Sequence, residues 1–517
     1  MVSIQRLPRL ALGLTCAVVM TATLGACAVA NSESLGGSGN ALRVVLPEEP
    51  PTLEPCESSL TSTGVVVRSN ITEPLIERNP HNGKLQPLLA TSWEQTSPKT
   101  WTFKLRSDVT FQDGTTFDAE DAAFSIERAV NSDLGCNVDG YVFGDDPLDL
   151  EVKSPTTVTV STKAADPILP LRLSFIEMVP TSTDTEHKVR EPIGTGPYRI
   201  SEWNAGLRLR LTRYDEYWGD QSAYKSVDYS WRSEGTIRAA MITSGEADIA
   251  TGLGPLDGAG DNGATFPNNE TVALRLDGRI PPLDDIRVRR AINYAVDKEG
   301  IVGSLLNDIS ETATQLVPPG VVGYNPDIDP WPYDTAKARE LIDEAEADGV
   351  PVDTEIHLIA RNELFPRVSE VSEVLQEELT EIGLNVDLQM VNTARSLEYQ
   401  LRPFVPDAGP VALVVQHGNQ AGDAAFTVDQ YMLSDGAQSS FGSQEFDELI
   451  GDASKTSGDQ RQKAYAHVLD YQNKQIVQFA HIAHMRGIIG ISSRVDYEPT
   501  SDTTNELRLA DITPADE

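Results

Sequence analysis

Helix and strand patterns alternate regularly over residues 284–391, and this alternation constrains the fold more than any other feature of the sequence. Apolar residues recur at helical spacing in three segments and form short continuous runs in two. The patterns predict a helix at 284–300 that ends at Gly300, a helix at 334–349, a strand at 355–361, a helix at 365–383 and a strand at 384–391. Strands that alternate with helices pair in parallel, with the helices packed outside the sheet. The sequence therefore predicts an α/β fold.

The N-terminal half of the chain also mixes helices and strands. The runs at 42–47 and 101–106 predict strands, and 148–163 predicts a hairpin that turns at Ser154-Pro155. Asp118 is placed to cap a helix whose first turn is acidic. A chain of 517 residues exceeds the ~250–300 at which one hydrophobic core stops growing. We therefore expect two or three lobes.

The N-terminus has the pattern of an export signal. Arg6 and Arg9 precede an uncharged apolar run that ends in LGAC, residues 24–27. This tetrapeptide resembles the lipobox of bacterial lipoproteins, which implies a signal peptide at 1–26, a lipid on Cys27 and a location at the outer face of the cell membrane. An uncleaved membrane anchor and an ordinary secreted protein are the alternatives. Residues 27–40 are mostly small or polar, and this composition predicts a flexible tether.

The charge of the chain excludes one class of partner. The formal net charge is -37 at pH 7. Nucleic acid is not expected to bind, because contact with phosphates requires a basic surface. The acidic surface also disfavours attraction to anionic lipid, which leaves the lipid on Cys27 as the predicted membrane attachment.

Two cysteines, Cys56 and Cys136, lie beyond the export segment. Both are in stretches rich in turn-forming or polar residues, LEPCESS and DLGCNVDG. In an oxidising compartment a pair of this kind predicts one disulfide, with two unpaired buried thiols as the alternative.

Five segments resemble one family, the extracytoplasmic solute-binding proteins of ABC importers, family 5, which includes dipeptide-, oligopeptide- and nickel-binding proteins. They are TLEP (52–55), ITEPLIERNPHNGKLQPLLATSWE (71–94), WTFKLRSDVTFQDGTTFDAEDAAFSIERA (101–129), IGTGPYRI (193–200) and DDIRVRRAINYAVDKEGIV (284–302). They occur in the family's order over most of the chain. Taken alone, the residues of these segments predict structural roles. Gly194, Gly196 and Pro197, for example, predict a turn and not a phosphate-binding loop, because the Lys and Ser or Thr of a Walker motif do not follow them.

The resemblance implies a periplasmic-binding-protein-like (type II) fold with two α/β lobes and an extra domain inserted in the first lobe. Lobe I is expected to collect residues 41–75, 190–280 and 480–517; the extra domain covers 76–189, and lobe II covers 281–479. A solute, with a peptide as the first expectation, would be captured in the cleft by a monomer without a cofactor. The lobes would close over it and deliver it to the permease and ATPase of an ABC importer.

Peptide-binding relatives pair the ligand's amino terminus with an aspartate from a segment that corresponds here to 413–432. This chain departs from the family pattern. Asn419 stands near the expected position of the acid, Asp423 follows four residues later, and the proline of the pattern is absent. Asp423 would favour a cationic ligand end, whereas Asn419 would suit sugars or modified peptides. Both alignments stay open at this point.

Five further residues are candidate ligand contacts, each with a structural alternative. His417 adjoins the same segment, and Trp231 and Arg232 follow the predicted strand KSVDYSW. Trp231 could stack on a ligand or pack in the core. Glu54, in TLEP, and Arg402 complete the set, with a surface salt bridge as the alternative role for Arg402.

Other functions were weighed against solute binding. The sequence has neither a G-x-S-x-G nor an H-E-x-x-H motif, so a secreted hydrolase is disfavoured and no catalytic residue is assigned. His481 and His484 could share a helical face as metal ligands, but we expect them to be packing residues in an apolar segment. An oligosaccharide, a nickel or other metal complex, and a sensor role remain alternatives within the family.

Overall fold

The computed structural model describes residues 40–144, 147–258, 260–306 and 310–515. The strands are β1 (Ala41–Leu46), β2 (Ile76–Arg78), β3 (Leu85–Pro87), β4 (Ala90–Ser97), β5 (Thr100–Leu105), β6 (Asp149–Ser154), β7 (Thr157–Ser161), β8 (Tyr198–Asn204), β9 (Arg208–Arg213), β10 (Ser226–Trp231), β11 (Ile249–Leu253), β12 (Gly263–Leu276), β13 (Glu311–Thr312), β14 (Ile356–Arg361), β15 (Val386–Val391), β16 (Val411–Gly418), β17 (Phe479–Ile491), β18 (Val495–Asp496) and β19 (Thr513–Pro514). The helices are α1 (Gly64–Val67), α2 (Ala119–Ile126), α3 (Val138–Tyr141), α4 (Leu169–Leu173), α5 (Gly235–Thr243), α6 (Ile286–Ala295), α7 (Lys298–Leu305), α8 (Thr335–Ala347), α9 (Val368–Glu381), α10 (Thr393–Gln400), α11 (Ala424–Tyr431), α12 (Gln444–Ser454) and α13 (Gly458–Tyr471).

The largest sheet joins strands from distant parts of the chain. Its order is β15-β14-β16-β12-β17-β11-β1-β10-β9-β8, and β13 pairs with β17. The pairs β14/β15, β14/β16, β1/β10 and β1/β11 are parallel, and the first of them is the pair that the alternation over 284–391 predicts. The sheet is therefore mixed, because the pairs of β12 with β16 and β17 are antiparallel.

Two long strands, β12 and β17, connect the two ends of this sheet. Towards β14, the sheet packs on α6, α8 and α9 around a core that includes Val288, Ile342 and Leu375. Towards β10, it belongs to a separate core that includes Leu42 and Tyr229. Each long strand contributes residues to both cores. The chain therefore passes directly from one core to the other along β12 and again along β17.

A separate four-stranded antiparallel sheet, in the order β4-β5-β7-β6, lies within residues 90–161. Its buried residues share a core with α11, α12 and α13. In the same core, Phe175, which follows α4, meets Phe426 of α11 edge to face, with ring centroids 6.5 Å apart. This segment is therefore tied by apolar packing to helices that follow it by some 260 residues or more in the sequence.

Local signals placed most elements well. Asp118 caps α2: its Oδ1 accepts from the Glu120 amide at 2.8 Å, and Asp121 Oδ2 accepts from the Asp118 amide at 3.1 Å. The hairpin at 148–163 forms as β6 and β7. Gly349, with φ +89°, follows the end of α8 in a conformation that favours glycine.

One sequence expectation was wrong in detail, and one alternative is excluded. The helix at 284–300 ends at Ala295, and Asp297 caps a second helix, α7, through a 2.9 Å bond from the Gly300 amide. Gly300 is needed for this cap rather than for a stop, since a Cβ there would lie 2.4 Å from Asp297 Oδ2. The segment around His481 and His484 is the strand β17 and not a helix, so these side chains do not share a helical face.

A helix that spans a membrane must be both long and apolar. Within the described ranges, none of the helices combines the length and the apolar character that a membrane span requires. The predicted signal peptide and Cys27 lie outside the described residues.

Candidate ligand-binding cavity

A cavity of about 430 Å³ lies where β12 and β17 pass from one core to the other. One wall comes from the ends of β1 and β11 and the loops after them, and the opposite wall comes from α7 and residues 364–367. Much of the lining is apolar and includes Leu46, Leu253, Phe266, Leu306, Phe365 and Ile488. The size and the apolar lining match those of sites that enclose small ligands.

The floor of the cavity is formed at an irregularity in β12. Pro267 pairs with Arg486 and Thr271 with His484, so three residues of β12, 268–270, oppose the single residue Met485. Asn269 adopts φ 57° in this bulge, a conformation that asparagine tolerates better than most residues. Its carbonyl accepts from the Asn419 amide at 2.7 Å. The bulge brings Asn268 and Glu270 to the cavity lining.

Glu270 is the acidic group of this floor. Its Oε2 accepts from Asn268 Nδ2 at 2.9 Å and from Gln416 Nε2 on β16. Burial raises the pKa of Glu270, and the hydrogen bonds from Gln416 and Asn268 oppose that rise. The carboxylate is thus held by neutral amides in a largely apolar space.

The arginines of the lining already have partners. Arg367 donates to the carbonyl of Ser304 at 3.1 Å and lies 3.4 Å from a Glu370 carboxylate oxygen. Arg486 Nη1 lies 3.4 Å from Glu311 Oε1. Within the described part of the chain, neither of these two guanidinium groups forms an ion pair or a hydrogen bond with Glu270.

The predicted segment 413–432 reaches the cavity through Gln416, a residue the sequence analysis did not select. Asn419 is buried, donates to the carbonyls of Asn269 and Leu316, and accepts from Thr427 Oγ1 at 2.6 Å. Asp423 caps α11 and forms a bidentate pair with Arg461, with both distances at 2.7 Å. Both side chains are therefore satisfied by protein groups, and neither is part of the cavity lining among the described residues.

His417 is enclosed beside the cavity rather than in its lining. Its Nε2 lies 2.8 Å from Thr427 Oγ1, and its ring meets Tyr431 edge to face. Burial lowers the pKa of His417 to about 3, so the ring is neutral at physiological pH. This arrangement gives it a packing role.

Glu54 and Arg402 also hold the protein together. Glu54 is fully buried, and its two oxygens accept from Arg128 at 2.6 and 3.0 Å. Arg402 donates to the carbonyls of Ser434 and Ser439, so its contacts are with backbone oxygens and not with an acidic side chain among the described residues.

Trp231 and Arg232 lie at the end of β10. Trp231 packs partly buried against the core around Leu42, and Arg232 is exposed. None of the seven predicted ligand contacts is among the described residues that line the cavity. As ligand contacts they stay predictions, and the geometry gives all seven contacts within the protein, including Arg232, whose Nη1 donates to the Trp231 carbonyl at 2.6 Å.

The remaining predicted groups concern cysteine and histidine. Cys56 and Cys136 form a disulfide. His481 is buried in β17, where burial lowers its pKa well below the usual range. Within the described ranges, a His-acid cluster of Glu355, His357 and Asp387 lies on β14 and β15 or beside them, away from the cavity.

The residues that sequence reasoning missed are Asn268, Glu270 and Gln416. A signal for the first two was present, because the polar triplet NNE at 268–270 lies inside β12, just before the run 272–276, which is apolar apart from Arg275. Gln416 carries no local signal, since its contact with Glu270 joins residues 146 positions apart.

Comparisons with known proteins agree with this architecture. The family model described as bacterial extracellular solute-binding proteins, family 5 (middle region), matches residues 84–444. The chain is 29% identical over 361 residues to the nickel-binding periplasmic protein of Escherichia coli (strain K12), covering 63% of this chain and 67% of that protein. It is 27% identical over 335 residues to the dipeptide-binding protein of the same strain, covering 58% of this chain and 62% of that protein, which is less than two thirds of its length.

A solved structure extends the comparison to nearly the whole chain. The ABC transporter substrate-binding protein CtaP of Listeria monocytogenes matches with a TM-score of 0.80 at 20% identity, over 92% of this chain and 99% of that one. At this identity the likeness concerns the fold alone. It confirms the predicted α/β fold of the periplasmic-binding-protein type.

Proposed function

The chain belongs to the bacterial extracellular solute-binding proteins of family 5, and from that premise we propose that it captures a peptide in the cavity beside β12 and β17 for an ABC importer. Members of this family are transport receptors, so the expectation that the chain is not an enzyme is confirmed by membership. The observation that carries the peptide assignment is the composition of the cavity. Apolar walls suit peptide side chains, and Asn268, Glu270 and Gln416 supply the polar groups that a peptide backbone and amino terminus require.

The working motion that we propose is closure of two lobes. Lobe I comprises 41–75, 190–280 and 480–517, with an extra domain at 76–189, and lobe II comprises 281–479. The crossings β12 and β17, with the bulge at 268–270, support this division because a register shift is a natural point of bending.

The predicted location adds a lipid anchor to the extracytoplasmic role. We propose that Cys27 is lipidated after removal of residues 1–26, so that a monomer is held at the outer face of the membrane near its permease. A Cys27→Ala variant expressed in the native host should leave the membrane fraction, whereas Cys16→Ala, in the same export segment, should stay there. Retention of Cys27→Ala in the membrane would contradict the anchor.

The nickel-binding relative makes a metal complex the second candidate. The cavity argues against direct capture of a nickel ion, because no histidine or cysteine is among the described residues that line it. A nickel chelate held by its organic ligand, or a sugar, would need other contacts and becomes an outcome of the test below.

The direct test is native mass spectrometry of residues 41–517 purified from the native host, before and after mild unfolding. We expect a series of peptide masses that is released on unfolding. A single sugar or metal-chelate mass would overturn the peptide assignment and leave the family membership intact.

A further inference from the structure

We propose that Glu270 is the specificity-determining residue of the cavity, and that its carboxylate binds a primary ammonium group of the ligand. This inference rests on the proposed function, since it assigns the end of the peptide that the cavity recognises. The family pattern suggested that Asp423 binds the positive charge of the ligand. We assign this contact to Glu270, in the bulge of β12.

The two oxygens of Glu270 have different surroundings. Both amide donors, Asn268 Nδ2 and Gln416 Nε2, bind Oε2. Within the described residues, Oε1 has no recorded protein hydrogen-bond donor, and Glu270 is partly open to the cavity. One oxygen is thus held in place and the other is available to a ligand.

The position of the carboxylate is fixed from its own strand and from the next one. Asn268 Oδ1 accepts from the Glu270 amide at 3.0 Å while its Nδ2 holds the carboxylate, so one side chain clamps the residue at two points. Gln416 adds a third contact from β16. A ligand group therefore meets a preorganised acceptor and does not have to order it.

Among the residues that the structure describes, no cation forms an ion pair with Glu270. The charged or titratable groups on neighbouring elements are Arg486 and His484 on β17, Arg367 before α9 and Glu48 after β1. Arg486 pairs with Glu311, and Arg367 pairs with Glu370. His484 Nδ1 lies 2.9 Å from Thr271 Oγ1, and burial lowers the pKa of His484 to about 4, so the ring is neutral at pH 7.

A carboxylate in this setting favours a cationic ligand strongly. Partial removal from water disfavours the ionised form when only neutral donors replace the water. An ammonium group at Oε1 forms a charge-assisted hydrogen bond and compensates that cost. The apolar lining beyond the floor then accepts the rest of the ligand.

The test compares wild type with Glu270→Gln, which keeps the shape and removes the charge. The probes are a defined tripeptide mixture with free amino termini, the same mixture acetylated at the amino termini, and putrescine as a cation without a peptide bond; none contains lysine or arginine. Dissociation constants are measured by isothermal titration calorimetry at pH 7. Glu373→Gln, at an exposed position of α9, is the matched control.

We expect Glu270→Gln to weaken binding of the free-amine peptides about 10- to 100-fold, because one charge-assisted hydrogen bond is lost. Acetylated peptides should bind wild type weakly and the variant equally weakly, and Glu373→Gln should match wild type. Glu270→Asp, which keeps the charge on a shorter side chain, should recover part of the affinity.

The outcomes separate this inference from the proposed function. Equal binding of free-amine peptides by wild type and Glu270→Gln would overturn the role of Glu270 and leave peptide capture standing. Binding of putrescine but of no peptide, lost in Glu270→Gln, would support Glu270 and overturn the peptide assignment. Binding of none of the probes would overturn both.

Discussion

Glu270 and Asp423 are two carboxylates on adjoining parts of the fold, and their partners differ in kind. Asp423 is bound through both oxygens by the Arg461 guanidinium at 2.7 Å and also caps α11. Glu270 lines the cavity and has two neutral amides on one oxygen, while its other oxygen has no donor among the described residues. The first arrangement is complete within the protein, whereas the second has no positive charge among the described residues. A buried acid marks a ligand site only when the protein leaves its charge uncompensated.

Glu506, near the C-terminal end of the described residues, is a second acid that is paired with arginine as Asp423 is. Glu506 contacts Arg68 at 3.1 Å and Arg508 at 2.7 Å, and it accepts from Ser69 Oγ at 2.6 Å. Arg68 also meets Glu177 at 3.0 Å. The contacts of Glu506 with Arg68 and Ser69 join residues 438 and 437 positions apart, so they hold the segment around Glu506 against the segment around Arg68.

The largest expected effect comes from breaking the complete pair. Arg461→Met keeps most of the side-chain volume but leaves Asp423 buried without a cation, which costs about 3–5 kcal/mol of the free energy of unfolding. Urea denaturation followed by intrinsic fluorescence measures this loss. Arg395→Met, which removes an exposed pair with Glu398, is the control and should cost about 0–1 kcal/mol. Equal losses in the two variants would contradict the structural role of Asp423.

The next largest effect is a loss of stability at low pH that depends on Glu506. Burial alone would raise the pKa of Glu506, but Arg508 and Arg68 outweigh burial and hold it at about 2. The unfolded value is about 4.3, so the stabilisation is fully present above that pH and is lost as the pH falls towards about 2. Thermal midpoints measured between about pH 5 and 2 should fall steeply for wild type and less steeply for Glu506→Gln. Parallel curves would show that the network does not act through Glu506.

Much of the fold was predictable from the sequence, because its signals are local. The cap at Asp118, the hairpin at 148–163 and the alternation at 284–391 each depend on neighbours within a few residues. The floor of the cavity depends instead on a register shift between β12 and β17, strands more than 200 residues apart. A family pattern directed attention to 413–432, but only the structure shows that Gln416, and not Asn419 or Asp423, extends from this segment to the cavity lining.

Acidification should weaken binding at Glu270 in a way that has no counterpart at Asp423. Burial raises the pKa of Glu270, so protonation begins at a higher pH than for an exposed glutamate, and the protonated acid no longer attracts an ammonium group. An α-amino group stays protonated below about pH 7.7, so the ligand charge does not change in this range. Titration calorimetry with the free-amine tripeptides from about pH 7 to 4.5 should give an affinity that falls up to about 10-fold for wild type and stays flat for Glu270→Gln. A fall of the same size in the variant would assign the effect to another group.

The smallest expected effect concerns the stability of the unliganded protein, and it separates the two acids most directly. In Glu270→Gln, the amide oxygen can still accept from Asn268 and Gln416, and the amide nitrogen takes the place of Oε1. The variant also removes a carboxylate that burial disfavours, so its free energy of unfolding should lie within about 1 kcal/mol of wild type, on the more stable side. Asp423→Asn makes the same chemical change at a residue whose charge Arg461 requires, and it should destabilise. Urea denaturation of both variants without ligand provides the comparison. If Glu270→Gln lost as much stability as Asp423→Asn, the carboxylate of Glu270 would stabilise the fold, which would contradict its role as a ligand-binding group.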